Sequence, residues 1–263
     1  MREILQKLAQ GKITVDEAEK ALRLYAIEKV GQFARLDVTR ELRRGVPEIV
    51  LGEGKSDEDI VGICKRMLDT SGRVIVTRLN DTQITRLKKT FTPNYELTEL
   101  PHAKSLVMRK TDYKRVETGG RVGIVTAGTV DLPIAEEAAM IAQEMGCKTF
   151  LEADAGVAGI HRLVEPLNRM IENDVDSLIV VAGREGALPT VVAGLVDLPL
   201  IAVPTSSGYG YGGRGEGALM AMLQACSLGI AVVNIDSGIA AGVVAGQIAN
   251  RVAKARTARP TTH

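Results

Sequence analysis

The sequence is poor in the side chains that build disulfide frameworks and metal centres. Its 263 residues hold three cysteines, Cys64, Cys147 and Cys226, and three histidines, His102, His161 and His263. An odd, widely spaced set of cysteines fits reduced thiols better than a disulfide scaffold or a zinc site, and a cytoplasmic setting is expected. A charge excess of either sign is also missing: 33 Lys and Arg face 32 Asp and Glu, for a formal net charge of +1. No electrostatic footprint calls for DNA or RNA, so no nucleic-acid partner is expected. Long apolar runs are lacking too. The opening MREILQKLAQGK has no apolar stretch, so no signal peptide is expected, and roughly 18 uninterrupted apolar residues occur nowhere, so no membrane span is expected.

What the chain does have is length and pattern enough for one large or two modest domains. Residues 1 to about 30 read as two short amphipathic helices, with Thr14 and Glu17 as a capping box ahead of Ala18, Ala21, Leu22 and Tyr25. After the charged stretch Leu36 to Arg44, Ile49-Val50-Leu51 meets Gly52-Glu53-Gly54-Lys55, and a helix starts at Ser56. Its apolar face is Ile60, Ile63, Cys64 and Met67, which makes Cys64 a core filler. A strand at Val74 to Val76 and a helix near Asp81 to Lys89 complete a small α/β domain, 1–118.

Gly119-Gly120 marks a boundary, after which five buried-strand candidates alternate with helical stretches: Val122 to Thr126, Thr149 to Leu151, Ser177 to Ala182, Leu200 to Val203 and Ile230 to Ile235. Repeated βαβ units of this kind predict a three-layer αβα domain with a parallel sheet, 119–256, followed by a solvated tail, 257–263. The last helix, Ile239 to Ala253, is rich in Gly and Ala, which favours close helix packing and a homo-oligomer. In such sheets ligands bind at the carboxyl ends of the strands, near a switch point in strand order.

The residues just after the strands are therefore the candidates. The first strand ends in Thr126-Ala127-Gly128-Thr129-Val130-Asp131-Leu132-Pro133, small and hydroxyl residues with an acid at a helix start. That set suits a sugar or phosphate, and equally an ordinary cap. The second leads through Glu152 and Asp154 to Gly159-Ile160-His161-Arg162, where a His–Arg pair suits an anionic ligand or simply opens a surface helix. The third delivers Gly183-Arg184-Glu185-Gly186-Ala187-Leu188-Pro189, with backbone N–H groups from Gly186 onward and Glu185 as an acid or base. This turn carries neither G-x-x-x-x-G-K-[ST] nor G-x-G-x-x-G, which argues against a kinase or an ordinary dehydrogenase.

Beyond the fourth strand, six glycines fall between Gly208 and Gly217, interleaved with Tyr209, Tyr211, Arg214 and Glu216. Glycines there let backbone N–H groups approach a phosphate, and a helix then runs toward Cys226. The segment reads either as a nucleotide loop beside a nucleophile or as a surface lid with a structural cysteine. Leu219, Met222, Leu223 and Cys226 share one face of a helix that Gly229 is expected to end. In its last turn the negative end of the helix dipole would disfavour a thiolate unless a cationic ring or an arginine such as Arg162 compensates. Cys147, entering the second strand beside Gly146, reads as structural.

Together these strand-end segments resemble the PurE-like superfamily of aminoimidazole ribonucleotide carboxylases and mutases, whose catalytic domain is flavodoxin-like. Thr126-Ala-Gly-Thr, Gly156-Val-Ala-Gly-Ile-His-Arg, Glu185-Gly-Ala-Leu-Pro and Val233-Asn-Ile-Asp-Ser-Gly resemble in particular the LarB family of pyridinium-3,5-biscarboxylic acid mononucleotide synthases. The N-terminal Leu36-Asp37-Val38-Thr39-Arg40, Arg44-Gly45-Val46-Pro47-Glu48 and Gly54-Lys55-Ser56 do so as well, and purine carboxylases lack that added domain. The resemblance implies a carboxylase/hydrolase of nickel-pincer cofactor biosynthesis that takes nicotinic acid adenine dinucleotide, CO2 and water to the doubly carboxylated mononucleotide and AMP. It implies Cys226 as the nucleophile that forms a cysteinyl-pyridine adduct, and Glu185 as the group that removes or orients a proton. Substrate contacts are implied at Thr126, Thr129, Asp131, Asp154, His161, Arg162, Gly186, Ala187, Leu188, Ser207, Tyr209 and Gly213, with Tyr209 to Gly217 as a lid. Mg2+ is expected from the phosphoanhydride chemistry, without a ligand set that spacing can name. The superfamily implies a homo-octamer. Val130 stands where many relatives carry serine, and Arg184 where an apolar residue is common.

Overall fold

The computed structural model describes residues 2–22, 28–30, 34–37 and 40–258, and the chain divides into two compact units, 1–114 and 115–263. Tyr25, Val38, Thr39 and the end of the tail, 259–263 with His263, lie outside the described residues.

The first unit opens with α1 (Arg2–Ala9) and α2 (Val15–Leu22). The Thr14 side chain accepts from the Glu17 N–H at 3.2 Å while the Glu17 carboxylate accepts from the Thr14 N–H at 2.8 Å, closing the expected capping box. An antiparallel ribbon of β1 (Glu28–Val30) and β2 (Ala34–Leu36) and the short α3 (Arg40–Arg44) follow. Then come β3 (Ile49–Leu51), α4 (Asp57–Ser71), β4 (Arg73–Thr77), α5 (Asp81–Phe91), β5 (Glu96–Leu100) and β6 (Ser105–Arg109), with strand order β3-β4-β6-β5. Ser56 caps α4, Asp57, Glu58 and Asp59 complement the dipole in its first turn, and Gly72 ends it at φ 76°. Ile60, Ile63, Cys64 and Met67 are all buried. Burial pushes the Cys64 thiol up to about 12, as suits a sulfur that serves only as filler.

The second unit alternates strand and helix without interruption. Its elements are β7 (Arg121–Thr126), α6 (Leu132–Glu144), β8 (Lys148–Glu152), α7 (Val164–Glu172), β9 (Ser177–Ala182), α8 (Leu188–Ala193), β10 (Leu200–Pro204), α9 (Glu216–Leu223), β11 (Ile230–Val232) and α10 (Gly238–Ala258). All five strands are parallel in the order β11-β10-β9-β7-β8, so the direction of winding reverses between β7 and β9. This is the three-layer arrangement read from the sequence. Alternate side chains face opposite layers. Leu178, Val180 and Ala202 pack under α7, α8 and α9 through Leu167, Met170, Val192 and Met222, whereas Ile179, Val181 and Ile201 pack under α6 and α10 through Ala135, Ala138, Ala241 and Ala245.

Three sequence expectations change. The glycines of α10 serve the packing of α10 on α6: a Cβ on Gly238 would lie 2.2 Å from the Ile134 carbonyl oxygen, and one on Gly242 2.5 Å from that of Ala138. The small-residue stripe is thus consumed within the chain and does not by itself argue for an oligomer. The solvated tail expected over 257–263 begins as the exposed last turn of α10, which runs to Ala258; there Arg256 pairs with the buried Asp176 and reaches the Gly119 carbonyl at 3.4 Å. Finally, α9 stops at Leu223, well before Gly229. Ser227 donates its hydroxyl to the Thr190 carbonyl of α8 at 2.8 Å, which draws the chain off the helix axis. Cys226 therefore sits in a bend outside the helix and is exposed, and the helix dipole, which acts over the last turn, does not reach it.

Candidate functional site

The loops that leave the carboxyl ends of β7, β8, β9 and β10 meet around one buried carboxylate. Asp131 closes a short 3-10 turn, Thr129–Asp131, between β7 and α6, where it is 3 % exposed. One of its oxygens accepts from the Gly128 N–H at 3.0 Å, fixing the turn from within. The other lies 2.7 Å from the Thr205 hydroxyl and 2.9 Å from the Ser207 hydroxyl, both delivered by the end of β10, and those two hydroxyls are 2.7 Å apart. Gly183, after β9, lies directly against this pair: a Cβ there would come within 2.4 Å of the Ser207 oxygen and 2.7 Å of the Thr205 oxygen. Only a residue without a side chain lets the third loop close over the first and fourth.

The second loop is tied in by Thr126. Its hydroxyl, fully buried, donates to the Gly128 carbonyl at 2.9 Å and accepts from the Asp154 N–H at 3.3 Å. Gly156 approaches so closely that a Cβ would meet the Ala127 carbonyl at 2.6 Å. Asp154 in turn pairs with Arg162 at 2.8 Å, and His161, Arg162 and Thr129 stand exposed on the rim. Gly186, at φ 63°, rests on α9, with the Ala218 carbonyl 2.7 Å from where a Cβ would be. Ala187 and the buried Leu188 open α8. Glu185 is exposed beside Arg184. The Arg184 guanidinium lies over the Tyr209 ring, 4.4 Å from its centroid, and donates to its hydroxyl, so the glycine-rich loop containing Gly213 is pinned to the loop after β9.

Backbone strain gathers in the same place. Asp154 (φ 59°), Arg184 (φ 50°), Arg214 (φ 60°) and Asp236 (φ 54°) each adopt a left-handed conformation in the loops after β8, β9, β10 and β11. Non-glycine residues hold that conformation at a cost, and it concentrates where geometry serves a ligand. The Asp236 carboxylate repays part of the cost by accepting from the Ser206 N–H at 2.8 Å.

The structure thus brings together Thr126, Asp131, Asp154, Gly186, Ser207 and Tyr209, and leaves Thr129, His161, Arg162 and Glu185 at the solvent edge. Sequence reasoning gave no individual role to Thr205, nor to Gly183 and Asp236, which stood inside segments it quoted. Thr205 carried a usable signal, a hydroxyl at the first position past a buried strand. Cys226 is the exception among the candidates: it precedes β11, at the amino ends of the strands. It is nonetheless the only exposed cysteine of the three. Cys147 is buried, with its sulfur 3.2 Å from the Asn250 side-chain oxygen, and burial pushes its thiol up to about 11. Among the described residues no group of three or more His, Cys, Asp or Glu side chains is arranged to hold a metal ion. Nor is any described helix long and apolar enough to cross a membrane.

The second unit is a doubly wound parallel α/β domain whose polar, glycine-lined loops converge at the strand ends, and residues 121–259 match the AIR carboxylase family. Residues 27–110 match the LarB/PurE-like N-terminal domain. The chain belongs to the LarB family of the PurE-like carboxylase superfamily. It is 43% identical to an uncharacterized protein of Methanocaldococcus jannaschii, over 92% of this chain and 93% of that protein. It is also 35% identical to the N5-carboxyaminoimidazole ribonucleotide mutase of the same organism, over 44% of this chain and 69% of the mutase. The mutase of Pyrococcus horikoshii is 33% identical, over 33% of this chain and 49% of the mutase.

Proposed function

We propose that the chain carboxylates the pyridinium ring of nicotinic acid adenine dinucleotide and hydrolyses its phosphoanhydride, releasing AMP and a doubly carboxylated mononucleotide. The observation that carries this reading is that Cys226 alone among the cysteines is open to a ligand, whereas Cys64 and Cys147 are buried with their thiols pushed up. A pyridinium ring is too electron-poor to attack CO2. A thiolate adding to the ring carbon opposite the nitrogen moves an electron pair onto that nitrogen and leaves a neutral dienamine, whose free meta carbon is nucleophilic. That carbon forms the new bond to CO2, its proton passes to a base, and the electron pair of the C–H bond expels the thiolate as aromaticity returns. Glu185, exposed at the end of β9, is the residue we assign to the proton. Water cleaves the phosphoanhydride in a separate step that consumes one molecule and yields AMP.

The strand-end loops suit the nucleotide part of such a substrate. Thr129 and Ala187 present backbone at helix starts, the Gly128 and Gly186 N–H groups being taken by Asp131 and by the Gly183 carbonyl, and the exposed His161 and Arg162 stand on the rim with N–H groups that suit phosphate. Thr126 and Asp131, which the resemblance assigns to ribose and phosphate, spend their hydrogen bonds on the loops themselves, so we assign them to shaping the contact surface. A second reading, carboxyl transfer on aminoimidazole ribonucleotide, draws on the similarity to the mutases. Incubation with nicotinic acid adenine dinucleotide, bicarbonate and Mg2+, followed by mass spectrometry, is expected to give AMP and the doubly carboxylated mononucleotide. Turnover of the purine substrate with neither product would overturn the leading reading.

A further inference from the structure

The second unit also carries a cleft at the amino ends of its strands, at the opposite pole of the sheet from the loops around Asp131. It encloses about 460 Å3, within the range of small-molecule sites. Arg121 and Lys148, which line it, are the first residues of β7 and β8 and are partners across the sheet. The six residues of β7 hold this level roughly 16 Å from Thr126, so the cleft is no extension of the strand-end loops.

The wall of the cleft is built by the chain that leads into β7. Residues 115–120 run past the turn between α6 and β8, where the Thr118 N–H donates to the Gly146 carbonyl at 3.0 Å and the Lys148 N–H donates to the Gly120 carbonyl at 2.8 Å. Gly146, at φ 86°, permits this approach: a Cβ there would lie 2.3 Å from the Val116 carbonyl oxygen. Backbone contacts therefore fix the wall before any ligand arrives.

The charge of the lining is one-sided. Arg115, Arg121 and Lys148 stand against a single acid, Glu117. Arg121 is held by the Asp174 carboxylate at 3.0 Å and the Asn173 carbonyl at 3.2 Å. Arg115 pairs with no carboxylate among the described residues. The Lys148 ammonium lies over the Phe150 ring, 4.9 Å from its centroid, a contact that leaves its charge uncancelled. Cys147 is held as a thiol by burial and adds no negative charge at neutral pH. Gln143 donates its side-chain amide to the Thr149 hydroxyl at 2.7 Å, which leaves that hydroxyl its own proton to donate.

We propose that this cleft is a second ligand site, separate from the strand-end loops, and that it takes a phosphate monoester of nucleoside monophosphate size. A phosphate monoester carries about −1.5 to −2 charges at neutral pH, which the positive excess of the lining complements. Arg115 and Lys148 take the phosphate oxygens through charge-assisted hydrogen bonds, and Gln143 and Thr149 meet the hydroxyl groups of the sugar.

Photolabelling of the full chain tests this without turnover. Azido-AMP is photolysed with the protein and the label located by peptide mass spectrometry. Label is expected within residues 115–121 or 143–149, displaced by excess AMP and not by adenosine, which lacks the phosphate. Both Arg115 and Lys148 are exposed, so Arg115→Gln combined with Lys148→Gln should leave the thermal midpoint unchanged. It should raise the half-saturating concentration for labelling at the cleft about tenfold or more, through the lost hydrogen bonds to charge. Lys148→Arg, which keeps the charge, should retain the label. Absence of label at the cleft, displacement by adenosine as readily as by AMP, or undiminished labelling of the double variant overturns the proposal. A chain that carboxylates nothing yet labels at the cleft would lose the reaction proposed above and keep the second site.

Discussion

Asp131 and Thr205, 74 residues apart in sequence, are joined by a buried 2.7 Å hydrogen bond that locks the loop after β7 to the loop after β10. The same carboxylate oxygen lies 2.9 Å from the Ser207 hydroxyl, and its fellow oxygen accepts the Gly128 N–H. Removing it takes away the acceptor of the Gly128 N–H and leaves the Thr205 and Ser207 hydroxyls only each other. Asp131→Ala is expected to cost about 1–3 kcal/mol, the desolvation penalty of groups stranded in this way. Urea unfolding measures it, and an unchanged midpoint would show that water replaces the carboxylate at no cost. Thr205→Val, which removes one donor and keeps the shape, should cost less than Asp131→Ala.

The Asp131 cluster shows what the sequence carried and what it did not. The parallel sheet was readable because β7, β9 and β10 are short apolar runs ended by Thr, Gly or Pro, and the strands alternate with helix-length segments. Asp131 and Ser207 could be named from position after a strand. Their contact could not, because nothing local relates the loop after the first strand of the sheet to the loop after the fourth; strand order does that. Cys226 shows the opposite failure. Its helical periodicity with Leu219 and Met222 is real, yet a tertiary hydrogen bond from Ser227 to Thr190 ends the helix first. The β5–β6 hairpin went unread because Glu96-Leu-Thr-Glu-Leu has weak strand patterning and borrows its stability from β6, whose first four residues are buried.

Gly242 sets how closely α10 approaches α6. Because a Cβ there would sit 2.5 Å from a backbone oxygen, Gly242→Val must push the helices apart or strain one of them. A loss of about 1–3 kcal/mol is expected, of the size found for overpacked cores. The exposed Val244 on the same helix serves as a control. Its replacement by alanine should alter the thermal midpoint far less, and equal effects at the two positions would show that the close approach carries no special weight.

Burial raises the carboxyl group of Glu48 above its ordinary value of 4.5; Arg40, 3.0 Å away, works against that shift, and Asp37 adds to it. Folded chains therefore hold the Glu48 proton more tightly than unfolded ones. Below about pH 4.5 both states are protonated and the group contributes fully; as pH rises through the folded value the proton is lost and stability falls. Glu48→Gln removes the titration. The stability of the variant relative to wild type should rise between about pH 4.5 and neutrality, measured as the difference in urea midpoints across that range. A difference that falls, or one that does not vary with pH, would contradict the burial effect.

Cys226 should be the one thiol that reagents reach in the native protein, since it is exposed while Cys64 and Cys147 are enclosed. A disulfide reagent is expected to titrate one group per chain quickly and the other two only after denaturation, because those two are buried and held as thiols. Cys226→Ser should abolish the fast phase while leaving the unfolding free energy within about 0.5 kcal/mol of wild type, as for other surface substitutions. Ring carboxylation should disappear with it, because a serine hydroxyl is a far weaker nucleophile toward a pyridinium carbon than a thiolate. AMP release need not follow. The phosphoanhydride lies on the far side of the ribose from the ring, and its cleavage requires no bond to sulfur, so Cys226→Ser chains that still liberate AMP would separate the two chemistries. Chains that keep carboxylating would remove the cysteine from the reaction altogether.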